Sequence, residues 1–276
     1  MLISSVILVL QETLEAALLV SVLLAISSQQ WNRFAWLWLG IGGGIVLSFI
    51  YAGYMAEVSE WFDYVGQEVV NATLQIVTAL LIAVCNWALF RSRQFDSSGE
   101  LQQENRFTSV FVVSAAGAVA LATTREGSEI LIYLDGFLQQ KEYVQAVAAG
   151  SSIGFSIGLS IGILIYFGLL NLPAKWRQLT PVMLLALFAG NMLAQAALQL
   201  TQADWINSTR AIWDTSGWLS ENSIPGQSLY ALIGYEATPS AAQLSAYIGG
   251  MIMVLASATV GRYSKNNFVT TSRTPS

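Results

Sequence analysis

The sequence contains no histidine and a single cysteine, Cys85. Without histidine there is no imidazole zinc site, no histidine-ligated haem and no Glu-x-x-His di-iron motif. One cysteine inside an apolar run leaves neither a disulfide framework nor a thiolate metal cluster. Charge is also scarce: Asp, Glu, Lys and Arg make up 11% of the 276 residues, where a soluble domain carries about 25%. The net charge of −5 comes with no basic cluster, so nothing favours a nucleic-acid partner.

What is abundant is apolar surface. Hydrophobic residues make up 54% of the chain and the mean hydropathy is +0.56. Runs of about 20 apolar residues, at 1.5 Å each, cross a hydrocarbon core of roughly 30 Å. Backbone groups in lipid must bond within their own segment, so these runs are helices. Seven spans follow, at about 4–26, 34–56, 68–90, 107–134, 144–170, 181–202 and 241–261. The first begins almost at Met1 without a basic leader or an Ala-x-Ala site, and is expected to be a retained helix rather than a cleaved signal. The fold class is thus an all-α polytopic membrane protein.

Seven spans put the termini on opposite sides. With the N-terminus outside, the inner segments hold Arg33, Arg91, Arg93, Arg106, Lys175, Arg177, Arg262, Lys265 and Arg273, and the outer ones only Lys141 and Arg210. Cationic loops favour the cytoplasm, which fixes this orientation as the expectation. Acids run the other way. Glu57, Glu60, Asp63, Glu68, Asp135, Glu142, Asp204, Asp214, Glu221 and Glu236 fall outside, against Asp96, Glu100 and Glu104 inside. Such a face concentrates cations, although solvated loop charge gives the same pattern.

Five charges remain within the spans: Glu12 and Glu15 in the first, Arg125, Glu126 and Glu129 in the fourth. An ionised side chain in mid-membrane costs about 2.5–3.5 kcal/mol on insertion scales, so function or mutual pairing has to offset them. Residues three apart share a helix face, and each Glu-x-x-Glu therefore presents two carboxylates together. Gln11-Glu12-Thr13-Leu14-Glu15 matches Arg125-Glu126-Gly127-Ser128-Glu129 three spans later. An odd separation makes the copies antiparallel, the pattern of an inverted repeat meeting at a central site. Repeat one covers about 4–90 and repeat two about 107–202; the seventh helix completes a permease domain over 1–265, and 266–276 form a polar cytoplasmic tail. In the second spans of the two repeats, Gly40, Gly44 and Ser48, and Gly150, Gly154, Gly158 and Gly162, recur every four residues, a ridge for close helix packing.

With all four carboxylates at a common depth and one guanidinium beside them, the ionised cluster carries about −3. Oxygen-only donors suit a hard cation. In its absence, neighbouring glutamates hold protons, so binding releases protons. A structural charge cluster or a metal-free proton relay is the competing reading. Arg125 is expected to steady one carboxylate through a forked hydrogen bond. Asp135, Asp214, Glu221, Glu57 and Glu60 are more often solvated loop acids than relay stations. Asn191 and Gln195, one turn apart in the sixth span, either line the path or link helices, and linking is the expectation. The connection 203–240 reads as one long loop. Its Trp205, Trp213 and Trp218 are expected at headgroup level.

The paired Glu-x-x-Glu helices resemble the oxidase-dependent iron permease family, also called the iron/lead transporter family. The likeness extends to Ile212-Trp213-Asp214-Thr215-Ser216, Gly234-Tyr235 and Pro239-Ser240, and so covers most of the chain. The resemblance implies that Glu12, Glu15, Glu126 and Glu129 bind iron during transport, with Gln11 and Arg125 in support. It implies ferrous or ferric iron as the transported substrate, no permanently bound cofactor, a separate iron-oxidising or iron-delivering partner, and a plasma (bacterial inner) membrane location. Gln11 departs from the family's arginine, which makes the site more negative. A proton-coupled transporter of another divalent metal, lead or manganese, is the alternative. A retinal protein or a membrane enzyme is disfavoured: the seventh span lacks a Schiff-base lysine and the chain offers little catalytic equipment.

Overall fold

A computed structural model describes residues 1–30, 34–96, 101–138, 142–220 and 223–263. The loop charges Arg33, Glu100, Lys141, Glu221, Lys265 and Arg273 and the tail 266–276 lie outside these residues. Ten helices follow in order: α1 (Leu2–Gln30), α2 (Ala35–Gly53), α3 (Met55–Ser59), α4 (Trp61–Tyr64), α5 (Gly66–Asp96), α6 (Leu101–Leu138), α7 (Val144–Leu170), α8 (Leu179–Gln202), α9 (Ile224–Ile233) and α10 (Ala241–Tyr263). Seven of them, α1, α2, α5, α6, α7, α8 and α10, are long and apolar enough to cross a membrane, and they coincide with the seven expected spans. Among the described residues there is no strand, only an isolated bridge between Ala211 and Ser240.

Small residues decide which helices meet. The glycines of α7 lie against α1 in parallel register: a Cβ on Gly150 would stand 2.6 Å from Leu2 O, one on Gly154 2.5 Å from Val6 O, and one on Gly158 2.9 Å from Thr13 Cβ. On the other side, Gly40 and Gly44 of α2 lie against α6, where their Cβ atoms would meet Ala116 O at 3.0 Å and Thr123 Cβ at 2.6 Å. Only glycine permits backbones to approach this closely. Ser48 locks the second seam by donating to Thr123 O at 2.9 Å.

The two seams are joined by α1 against α6. These run antiparallel: Ser5 Oγ and Tyr133 OH lie 2.8 Å apart near one end, and Glu15 reaches Arg125 ten residues further along. The first helix of each sequence repeat therefore packs in parallel on the second helix of the other. α5, α8 and α10 close the remaining side. Between the carboxylates and the end carrying Arg93 and Arg262, the interior is filled by Leu18, Leu19, Leu23, Ile82, Phe111 and Phe188, all at most 2% exposed.

The stretch 203–240 departs from the expected single long loop. It contains α9, which packs on α1 and α8. Ser223 caps it by accepting from Gly226 N at 3.1 Å, Pro225 occupies its first turn, and Gly234 ends it at φ 71°. Both the positive φ and the contact a Cβ would make with Asn191 Oδ1, 2.8 Å, require glycine at 234. The flanking segments hold each other, Ile212 N donating to Pro239 O at 2.9 Å and Thr215 N to Ala237 O at 3.0 Å. Trp205 and Trp218 are exposed, at 57% and 97%.

Candidate metal centre

Glu12 and Glu15 are placed by α1, and Arg125, Glu126 and Glu129 by α6, at the antiparallel crossing. Inside each motif the residue after the first glutamate sets the approach. Thr13 abuts Gly158 of α7, and Gly127 admits Ser48 of α2, whose Oγ a Cβ there would meet at 2.5 Å. The two copies thus use the same position with the small partner on opposite helices.

The crossing brings one carboxylate oxygen each of Glu12, Glu126 and Glu129 within 4.8 Å of one another. Glu12 and Glu126 are buried, at 6% and 2% exposure, and the Glu129 side chain is 29% exposed. Glu15 is not a member of this triad. It is connected to it through Arg125, whose Nη1 donates to Glu126 Oε1 at 2.7 Å and to Glu15 Oε2 at 3.4 Å. Arg125 Nε lies 3.3 Å from Glu129 Oε1, near enough for an ion pair but without hydrogen-bond alignment.

Buried Glu12 Oε2, Glu15 Oε1 and Glu126 Oε2 have no hydrogen-bond partner among the described residues. Unsatisfied carboxylate oxygens at a buried crossing are costly, and a cation or protons satisfy them. Three carboxylates facing one another supply an all-oxygen donor set of the kind that hard and borderline cations accept. Glu12 and Glu126 also form part of the wall of a mostly apolar cleft of about 480 Å³ that includes Ala17, Thr123, Phe155 and Ile163.

Gln11 does not mirror Arg125. It lies with Leu14 on the α9 side of α1, beside Gln227 and Ser228. Asn191 behaves as a helix link, donating to Tyr230 O at 3.4 Å. Gln195 does more than link: its Nε2 donates to Glu15 Oε2 at 3.3 Å. Gln75 on α5, which the sequence reading passed over, donates to Gln195 Oε1 at 2.7 Å. The signal for it was a polar Asn71, Gln75, Thr78 face in an otherwise apolar span, all three buried. Glu57, Glu60 and Asp135 are exposed and outside the triad. Asp214 is a turn residue, accepting from Ser216 Oγ at 2.5 Å and Ser216 N at 2.9 Å. Those bonds, the side-chain one foremost, hold its carboxyl below the usual range.

Residues 2–264 match the model of the Iron permease FTR1 family. The ferrous iron permease EfeU of Escherichia coli O6:K15:H31 (strain 536 / UPEC) is 26% identical over 261 residues, which span 89% of this chain and 91% of that protein. The ferrous iron permease EfeU of Yersinia pestis is 25% identical over 256 residues, 89% of each chain. No solved structure matches.

Proposed function

Because the chain belongs to the Iron permease FTR1 family, and is therefore an iron-transporting integral membrane protein rather than an enzyme, we propose that it carries ferrous iron inward through the carboxylates of the α1–α6 crossing. The observation that carries this reading is the triad itself: Glu12, Glu126 and Glu129 within 4.8 Å of one another, with buried oxygens of Glu12 and Glu126 that have no hydrogen-bond partner among the described residues. Glu15 is the fourth carboxylate, sharing Arg125 with the triad. Ferrous iron is favoured over other divalent ions by the EfeU relatives, which are ferrous iron permeases.

Glu129, the most exposed of the four glutamates, is the first that an arriving ion meets. Orientation with the N-terminus outside is supported by the clustering of Arg91, Arg93, Arg177 and Arg262 toward the far end, which suits the cytoplasmic face of a plasma membrane. On this reading, ferrous iron reaches the opposite, acidic face from a separate iron-delivering protein. The swapped packing of α1 on α7 and of α6 on α2 supports an inverted repeat over about 4–90 and 107–202, followed by α10.

Glu126→Gln and Glu12→Gln remove one ligand charge each while keeping the shape. Both are expected to lower uptake of radioactive ferrous iron at least about tenfold with the protein still in the membrane fraction. Uptake at the wild-type rate in both variants would reject the site.

A further inference from the structure

Glu15 differs from the other three carboxylates. It is 1% exposed, lies outside the triad, and its two oxygens are in unlike situations. Oε2 accepts from Arg125 Nη1 at 3.4 Å and from Gln195 Nε2 at 3.3 Å, whereas Oε1 has no partner. Gln195 is in turn fixed from behind by Gln75 Nε2, 2.7 Å from its Oε1. Glu15 Oε2 accepts from the amide nitrogen of Gln195, which leaves the amide oxygen for a donor, and Gln75 supplies it. The result is a directed line of hydrogen bonds from α5 through α8 to α1. Gln75 and Gln195 are 1% and 4% exposed.

Arg125 is shared among Glu126, Glu129 and Glu15. A cation entering the triad binds carboxylates that the guanidinium now contacts, Glu126 and Glu129, and its positive charge repels that guanidinium. The guanidinium then needs an anion that does not move. We propose that Gln195, backed by Gln75, is a positioning pair that fixes Glu15 as the standing counter-ion of Arg125 and so frees Glu126 and Glu129 for ferrous iron; this rests on the reading that iron binds at the triad. Neither amide needs to touch the metal, because the pair acts through Glu15.

The test is anaerobic binding of ferrous iron to the full chain purified in detergent, for Gln195→Leu, Gln75→Leu and their double variant, each repeated with Glu15→Gln. Gln195→Leu is expected to weaken binding about tenfold and Gln75→Leu about threefold. The double variant is expected to be no weaker than Gln195→Leu, and in the Glu15→Gln background the Gln195→Leu effect falls below about twofold. Packing losses alone would add in the double variant and persist beside Glu15→Gln, and that result overturns the proposal. Should Gln195→Leu not reach the membrane, Gln195→Asn, too short to reach Glu15 and Gln75 together, carries the same test. Glu126→Gln in the same assay separates the two readings: unchanged binding there rejects the triad, whereas binding lost there but intact in Gln195→Leu rejects only the positioning pair.

Discussion

At the residue scale, Arg125 is the group on which the crossing depends. Its Nη1 and Nε face three carboxylates in a buried site. Removing one partner of a buried charge network leaves the others uncompensated, at a cost of about 3–5 kcal/mol. Arg125→Ala is therefore expected to reduce both the amount of folded protein and ferrous-iron binding, the latter more than about tenfold. Gln11 holds the matching position in the first motif, yet it lies beside Gln227 rather than the carboxylates. Gln11→Ala is expected to change iron binding by less than about twofold; a tenfold loss, read by the same assay, would show that Gln11 acts on the site after all. Sequence alignment of the two motifs makes Gln11 and Arg125 equivalent, and only the packing of α9 against α1 separates them.

At the scale of elements, the glutamates meet because two glycine seams let α7 close on α1 and α2 close on α6. The register of each seam sets the height at which Glu12 faces Glu126. A side chain at Gly154 must displace Val6 O, which a Cβ would approach to 2.5 Å, and overpacking of this kind costs about 1–3 kcal/mol or more. Gly154→Val is expected to lower the thermal unfolding temperature in detergent and to abolish iron uptake. Gly42→Ala, where a Cβ meets nothing within 4 Å, is expected to be silent in both measurements, and equal effects from the two would deny the seam its role. These seams were readable beforehand as small residues every fourth position. α9 was not read, although Ser223, Pro225 and Gly234 mark its start and end, because ten residues between two irregular segments carry too little periodicity to stand out.

At the scale of the whole molecule, the crossing is sealed toward the Arg93 and Arg262 end by a packed apolar interior and is reached most readily at Glu129. On the proposed inward route, that interior has to part. Which end faces the cytoplasm is directly measurable, because Cys85 is buried and leaves the surface free for an introduced thiol. Trp218→Cys, at a site 97% exposed, is expected to react with an impermeant maleimide on intact cells. Asn105→Cys, at the opposite end of α6, is expected to react only after permeabilisation, and the reverse pattern would invert the orientation.

Seven membrane-spanning helices and the identity of the buried charges were settled by composition and spacing alone, because lipid penalises every unpaired backbone group and every ion, and so restricts what an apolar sequence can do. Which carboxylates come together was decided in three dimensions. Spacing puts Glu12 and Glu15 on one face, but Gln195 and Gln75, from helices distant in the chain, turn Glu15 toward Arg125 and leave Glu12 to face Glu126 and Glu129. Contacts between remote helices depend on seam register and side-chain direction, quantities that no periodicity within a single span contains.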